Sequence, residues 1–313
     1  MTTRPTTLKT RLDAFAHARW IGYLAVLTAA AFWGTSGIFV KLITQSSGIS
    51  AIALAFWRDL TTFAVLLLGG VIFNPAKLPV RQADLPWLAG MGASLGAFHV
   101  FWNLGVMLNG AAVTTVQQAA MPAIVTVTAW FLWREPLTWR KIGAIILTFA
   151  GTVLVSGVGE LEQVPLTTAG LLVGFGVPLF YAFWSLFGKK ARGDYDSMVI
   201  LTYAFGFAAL MLLPLQFFTP QPFPVPPVAY VWFFSLIAFS TIIAFFAYTF
   251  GLGRLPASVA SILAMSEIAF VGVYAYLLLD EQLAPTQILG TVLVVVGVLL
   301  LFRRRSNAPH KGE

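Results

Sequence analysis

Ten long apolar segments follow one another along the chain, separated by short polar stretches. Each is close to the roughly 20 residues that a helix needs to cross about 30 Å of hydrocarbon. The alternation typical of a barrel strand is not visible, and in lipid only helices and closed barrels satisfy the backbone. The pattern therefore predicts an all-α membrane protein with ten transmembrane helices. The predicted spans are residues 20–43, 50–73, 84–108, 112–133, 141–158, 166–188, 197–218, 228–252, 256–279 and 286–302.

The second half of the chain repeats the first half. Residues 99–155 correspond to residues 245–301 without a gap when the chain is shifted by 146 positions, the separation of Glu135 from Glu281. Further equivalent pairs, some at a slightly different offset, are Ala111 and Ala257, Gly151 and Gly297, Trp33 and Tyr181, and Lys41 and Lys189. A repeat of about half the chain length indicates two duplicated halves and not a solenoid of short period.

The positions of the basic residues predict how the spans are oriented. Of the 19 Lys and Arg residues, 17 fall in loops and termini on one face of the predicted bundle, and only Lys41 and Arg58 lie within or at the end of spans. The positive-inside rule therefore predicts that both termini are cytoplasmic. Five spans per half is an odd number, so the second copy enters the membrane inverted. Inverted repeats are typical of secondary transporters, which bind substrate near mid-membrane between the halves.

This duplication divides the chain into five parts. They are a cytoplasmic N-terminal segment at 1–19, a first five-helix repeat at 20–158, an external linker at 159–165, a second five-helix repeat at 166–302 and a basic cytoplasmic tail at 303–313. The N-terminal segment carries Leu8, Leu12 and Phe15 at helical spacing, which favours a position on the membrane surface. The chain is predicted to be a multi-pass protein of the bacterial inner membrane.

The amino-acid composition limits the classes of function that are possible. The chain is 58% hydrophobic and 10% charged, an excess of apolar surface that lipid can solvate and a soluble domain of this size cannot hide. It has no cysteine, which excludes disulfides, thiolate metal sites and cysteine nucleophiles. The net charge of +7 is explained by the loops, so no nucleic acid partner is expected. No phosphate-binding loop and no convincing metal-ligand spacing occur, so no cofactor is predicted.

Several short motifs resemble those of a known family. The Trp33-Gly34 pair, the following Lys41 and the Glu-x-Leu turns at Glu135 and Glu281, taken with the five-plus-five repeat, resemble the EamA branch of the drug/metabolite transporter superfamily. The resemblance covers nearly the whole chain. It implies a central cavity lined by spans 1, 3, 4, 6, 8 and 9, with spans 5 and 10 bracing the halves. The aromatic content and chain length look most like the aromatic amino acid exporters, which implies export of amino acids.

One departure from the family pattern concerns its frequent Glu-Pro pair in spans four and nine. Span four has Met121-Pro122, which lacks the acid, and span nine has Glu267-Ile268, which lacks the proline. A coupling mechanism built on that pair is therefore not carried over to this chain.

Two helix faces carry polar candidates for the substrate site. Span three places His99, Trp102 and Asn103 on one face, and span four does the same with a set that ends in Gln117, Gln118 and Met121. Hydrocarbon penalises two adjacent glutamines, so these faces should meet other helices or water. Ordinary hydrogen bonding between helices is the alternative interpretation.

Charged residues within the spans are further candidates. Glu267 has no charged neighbour in its span, and a central acid costs about 2.5–3.5 kcal/mol on insertion scales, so a functional role is the default. It can bind a substrate amino group or a proton, or be a protonated carboxyl bonded to a neighbouring helix. His99 can carry a proton or stay neutral. Arg58 and Asp59 point about 100° apart, which favours a clamp between helices over substrate binding. Lys41 is expected to snorkel to the interface.

Aromatic residues occur at equivalent places in the two halves. Their flat faces and polar tips suit stacking on an aromatic or apolar solute, although simple packing explains them as well. This set comprises Trp33, Trp102, Tyr181, Trp184 and Tyr248.

These features favour a secondary transporter that exports amino acids or related small metabolites by alternating access. The runner-up is efflux of bulky cations or drugs. An intramembrane serine protease is the alternative of another class, since residues 34–37 read Gly-Thr-Ser-Gly and residues 92–96 match a nucleophile-elbow pattern that normally follows a strand. The expected partners are a small-molecule substrate, the lipid bilayer and, as a candidate coupling ion, protons. The chain is expected to act as a monomer or a homodimer.

Overall fold

The computed structural model describes residues 8–156, 167–220, 223–279 and 284–302. Within these ranges the regular elements are all helical, and none is a strand. Six helical segments in the described part are long and apolar enough to cross a membrane. The chain is therefore an all-helical protein of the membrane type. The predicted linker, the basic tail and Glu281 lie outside the described residues.

The described residues of the first half form six α-helices. Its first predicted span consists of two of them, because the helix breaks at Gly34 and Thr35. Thr35 Oγ1 donates to the Phe32 carbonyl at 2.7 Å, a local bond that competes with the helical ladder. The helix of this span already begins at Leu8, within the predicted N-terminal segment. The helices are α1 Leu8–Trp33, α2 Ser36–Ser47, α3 Ala51–Phe73, α4 Leu85–Gln118, α5 Met121–Trp133 and α6 Trp139–Val155.

The second half contains seven further α-helices within the described residues. Between α9 and α10 the chain continues as a π-helix at Leu236–Ile243, so the eighth predicted span is one rod of changing pitch. The helices are α7 Thr168–Ala191, α8 Ser197–Leu212, α9 Pro227–Ser235, α10 Ala244–Leu252, α11 Ala257–Ala264, α12 Glu267–Leu279 and α13 Pro285–Leu299.

The hydrogen-bonding pattern of α4 continues through the predicted loop between spans three and four, yet the chain reverses direction there. A Cβ added to Gly105 would lie 2.9 Å from Thr114 Cγ2. On a straight helix two residues nine positions apart are separated by about 13 Å along the axis. Phe101 and Gln117 likewise both pack on the neighbouring turns of α7 at Gly176 and Gly174. The helix is therefore folded into two antiparallel arms.

Spans four and nine are both broken near their middle. The first break falls at Ala119 and Ala120, just before Pro122, which cannot donate to the helical ladder. The second falls at Met265 and Ser266, the equivalent positions of the repeat, where no proline follows. There the Ser266 hydroxyl donates to the Leu263 carbonyl at 2.7 Å. The break is thus a property of both copies and does not depend on the proline.

The helices assemble into two mixed groups. The α1 group consists of α1 and α10, which pack on each other, and the α7 group consists of α7 with α4 and α5, each of which packs on α7; α11 packs on α1 and on α5. Each group therefore draws helices from both halves of the chain.

Helices α6 and α13 pack against each other through glycine. A Cβ on either Gly151 or Gly290 would lie 2.6 Å from the carbonyl oxygen of the other. Near the far end of the same interface, a Cβ on Gly297 would lie 3.1 Å from the Ala144 carbonyl oxygen. The repeat offset exchanges these two contacts, because Gly151 corresponds to Gly297 and Ala144 to Gly290.

Candidate functional site

A cavity of about 620 Å³ lies between the two helix groups. Residues from α1, α2, α3, α4, α7, α10 and α12 line it. Two of its exposed lining residues, Lys41 and Gln45, lie in α2 at one end of the molecule, and the cavity is entered from there. The other end of the molecule carries Lys77, Arg81 and Lys189 and is closed; we call it the basic end. The end at which the cavity opens is called the opposite end.

Aromatic rings form the inner wall of the cavity. Trp33 lies at their centre, with ring centroids 5.3 Å from Phe245, 6.2 Å from Tyr181 and 6.3 Å from Trp184. The indole N–H groups of Trp33 and Trp184 are buried and have no hydrogen-bond partner among the described residues. Since buried donors without a partner are costly, these two can serve a bound molecule. The wall thus offers flat apolar faces and two free donors.

Charges of both signs face the same cavity. Arg58 lies in the lining, where its Nε donates to Thr241 Oγ1 at 2.9 Å and its guanidinium stands 5.7 Å from the Phe245 ring centroid. Glu267 lines the cavity at the first turn of α12. No direct ion pair within 4 Å joins these two described residues. Arg58 is held by its Nε, which leaves its terminal nitrogens for another partner.

Asp59 and His99 form a buried pair between α3 and α4. His99 Nδ1 lies 3.0 Å from Asp59 Oδ1, and the two side chains are 5% and 0% exposed. His99 lines the cavity and its Nε2 has no hydrogen-bond partner in the described part of the chain. Arg58 and Asp59 thus bind different helices, as the angle between adjacent residues of a helix predicts.

The structure brings most of the sequence candidates together. Eight of them line the cavity: Trp33, His99, Trp102, Asn103, Gln118, Tyr181, Trp184 and Glu267. Asn103 is engaged there by a bond from its Nδ2 to the Ala51 carbonyl at 2.7 Å.

Three predicted site residues lie outside the lining. Tyr248 is fully buried behind the aromatic wall, stacked on Trp184 at 5.2 Å, with its hydroxyl 2.7 Å from Ser185 Oγ. Met121 is fully buried in the hydrophobic core. Gln117 packs on the backbone of α7 at Gly174, where a Cβ would meet its amide. Gln117 therefore faces α7 and not the cavity.

Other lining residues were not among the sequence candidates. They include Phe98, Phe245, Gln45 and Tyr274; Arg58 also lines the cavity, although the sequence favoured a clamp between helices for it. A signal for Arg58 existed, namely a lone guanidinium in an apolar span. The two phenylalanines carried none, because the chain has 27 of them and lipid-facing positions use the same residue.

The basic end is closed by contacts between loops and helix ends. Lys77 pairs with Asp196 at 2.7 Å, and Arg81 pairs with Asp194 at 3.0 Å, so the loop before α4 is tied to the loop before α8. Tyr195 donates to Asp84 at 2.6 Å. The closure near these loops is therefore polar, whereas the cavity wall is aromatic.

The Asp84 carboxylate gives this closure a pH dependence. Hydrogen bonds from Tyr195 and then from Arg81 lower the pKa of Asp84 below its ordinary 3.8. The stabilisation is therefore complete above pH 3.8 and is lost as the pH falls through the lowered value. We expect Asp84→Asn to lower the melting temperature of the detergent-solubilised protein slightly at pH 7, because surface pairs contribute little. The difference from the wild type should vanish in strong acid, and a difference that persists there would contradict this assignment.

The two protease-like motifs have structural explanations. Ser94 donates to the Gly90 carbonyl at 2.7 Å, and Gly92 and Gly96 allow α4 to approach the α8 backbone closely at Ala204 and Ala208. Ser36 lines the cavity, but the free Nε2 of His99 does not bond it. Neither serine therefore has the hydrogen bond from nucleophile to base that nucleophilic catalysis uses.

The helical fold, with a cavity that is entered from one end and lined by rings and charges, defines a membrane protein of the transporter class. The chain belongs to the EamA-like transporter family, whose model matches it twice, at residues 20–157 and 168–303. The two matches coincide with the two halves of the repeat.

Relatives of this chain are also described as transporters. The uncharacterized inner membrane transporter YicL of Salmonella typhimurium is 28% identical over 299 residues, which covers 92% of this chain and 98% of the relative. An uncharacterized transporter of Archaeoglobus fulgidus is 25% identical over 92% of this chain and 99% of its own length. A crystal structure with 19% sequence identity superimposes with a TM-score of 0.74, covering 91% of this chain and 96% of the other, and so shares the fold.

Proposed function

We propose that the protein is a secondary transporter that exports amino acids, with aromatic or other apolar side chains preferred, or closely related small metabolites. One observation carries this proposal: Arg58 and Glu267 face one aromatic-walled cavity without pairing with each other. A zwitterion presents a carboxylate to a guanidinium and an ammonium to a carboxylate. Its side chain would then lie on the rings of Trp33, Tyr181 and Trp184, with edge-to-face contacts that favour aromatic groups.

The polar neighbours take supporting roles in this proposal. Trp102, Asn103 and Gln118 meet the remaining polar atoms of the solute. Gln117, Met121 and Tyr248 form the layer behind them and hold the wall in place. Protons are the proposed coupling ion, with Glu267 and the Asp59–His99 pair as their sites.

The proposed topology has ten spans in two inverted five-helix repeats, with both termini in the cytoplasm of a bacterium and the chain in its inner membrane. Three observations support it. The family model matches each half, the breaks in spans four and nine are equivalent, and the repeat offset exchanges the two glycine contacts between α6 and α13. The basic end is then the cytoplasmic one.

Efflux of bulky cations is the second candidate, since Glu267 and the aromatic wall also suit a cation. Arg58 and Lys41 count against it, because both place positive charge on the same cavity. The presence of both signs of charge therefore favours a zwitterion over a cation.

Counterflow into proteoliposomes tests the proposal with a matched set of solutes. Phenylalanine is expected to exchange, whereas phenethylamine, which lacks the carboxylate, and phenylpropionate, which lacks the ammonium, should each exchange at least about tenfold more slowly. Ethidium serves as the bulky cation. Faster exchange of ethidium or phenethylamine than of phenylalanine would favour cation efflux and overturn the amino acid assignment.

A further inference from the structure

Lys189 joins the two helix groups at the basic end. Its ammonium donates to the Leu252 carbonyl at 2.9 Å and to the Leu255 carbonyl at 2.6 Å. Lys189 belongs to α7, whereas the two carbonyls end α10 and follow it, in the α1 group. The carbonyl end of a helix carries partial negative charge, so it favours a cation. Lys189 is therefore a charged link between groups that alternating access must separate.

Glu135 binds the start of the next helix, α11, which packs on both α1 and α5. Its carboxylate, in the turn after α5, accepts from the Ala257 amide at 2.8 Å and the Ser258 amide at 3.3 Å, and from the Ser258 hydroxyl. These amides begin α11. The junction between α10 and α11 thus has two carbonyls bound by Lys189 of α7 and two amides bound by Glu135, in the turn after α5.

The repeat places an equivalent lysine at the opposite end of the molecule. Lys41 corresponds to Lys189, and the carbonyls equivalent to those of Leu252 and Leu255 are the backbone carbonyls of Val106 and Asn109. Lys41 is exposed and lines the cavity where it opens. The lysine at the closed end is bound to carbonyls, and its counterpart at the open end faces the cavity.

We propose that Lys189 and Lys41 are alternating latches. In one state Lys189 closes the basic end by binding the carbonyls of Leu252 and Leu255. In the other state these bonds are broken, and Lys41 closes the opposite end by binding the backbone carbonyls of Val106 and Asn109. Exchanging the conformations of two equivalent halves produces this second state. The proposal rests on the proposed alternating access, but not on the identity of the substrate.

The absence of cysteine from the chain makes the latches testable by labelling. Met91→Cys reports on the basic end, because Met91 is buried and lies, like Leu252, next to Gly188 of α7. Gln45→Cys reports on the cavity mouth. In proteoliposomes, Lys189→Met is expected to raise the maleimide labelling rate at position 91 by roughly tenfold and to lower that at position 45, since it removes charge-assisted bonds from one of two states. Lys41→Met should shift both rates the other way.

Lys190→Met is the matched control. It removes a neighbouring charge at the same end, and the Lys190 ammonium stands 4.6 Å from the Trp87 ring centroid and binds neither carbonyl. Labelling rates in this control should equal those of the parent. The latch is refuted where Lys189→Met matches Lys190→Met, or where the two latch variants shift both reporters in the same direction. Because labelling needs no substrate, these rates are independent of the counterflow result, which alone bears on what is carried.

Discussion

Counterflow of phenylalanine is expected to fall by about thirtyfold or more in the Glu267→Gln variant, because loss of one partner of a buried charge pair costs about 2–5 kcal/mol. Glu267 begins α12 at the helix break and lines the cavity. None of the described residues forms a hydrogen bond or an ion pair with its carboxylate, so the substitution breaks no such contact within the described part of the protein. The amide keeps the shape and removes the charge. The measurement is the initial rate of counterflow at matched protein content in the vesicles.

Specificity for the ammonium provides the control for this prediction. Phenylpropionate has no ammonium, so its slow exchange should change little in Glu267→Gln while that of phenylalanine collapses. The reverse selectivity is expected for Arg58→Met, with phenethylamine least affected. Equal losses for all solutes, together with an unchanged melting temperature, would instead indicate a role of Glu267 in proton coupling alone.

Much of this site could be predicted from the sequence because lipid simplifies the choices. A histidine, an asparagine or an acid in an apolar span costs free energy unless it meets water or another polar group. His99, Asn103 and Glu267 therefore had few places to lie, and all three line the cavity. The helical character of the spans followed from the same cost applied to the backbone.

The helix breaks and the direction of individual faces could not be predicted in this way. Gln117 and Gln118 are adjacent, and only Gln118 lines the cavity, since the facing of the second arm depends on where α4 reverses. Apolar neighbours around the turn fit a loop or a helix equally well. The ring and hydroxyl of Tyr248 predict contact with a solute, yet Ser185 on α7 satisfies that hydroxyl within the core. Such contacts between distant helices leave no local signal.

Arg58 illustrates a further limit. Its adjacency to Asp59 suggested a structural clamp, and Asp59 does hold His99, but Arg58 itself turns to Thr241 and the cavity. Adjacent residues of a helix point about 100° apart, so Asp59 forms a buried pair with His99 while its neighbour Arg58 faces the cavity, where a solute can reach it. The function of neighbouring charges therefore depends on the π-helical segment that brings Thr241 to Arg58, which no local pattern in that span announces.

The interface between α6 and α13 should tolerate substitution of its contact glycines poorly. In Gly151→Ala the new Cβ would lie 2.6 Å from the Gly290 carbonyl oxygen and 2.9 Å from the Val294 amide nitrogen, both backbone atoms that cannot rotate away. The helices must separate, and overpacking of this kind costs about 1–3 kcal/mol. We expect a lower melting temperature and less folded protein after extraction in detergent.

Gly143→Ala on the same helix is the matched control for that loss. Its Cβ would find only Leu300 Cδ1, at 3.7 Å, which is ordinary van der Waals contact. Alanine also favours a helix over glycine by about 1 kcal/mol, so this variant should be at least as stable as the wild type. Gly290→Ala should behave like Gly151→Ala, because each glycine meets the backbone of the other. Equal melting temperatures for Gly151→Ala, Gly290→Ala and Gly143→Ala would show that the close approach of α6 and α13 is not what holds the two halves of the chain together.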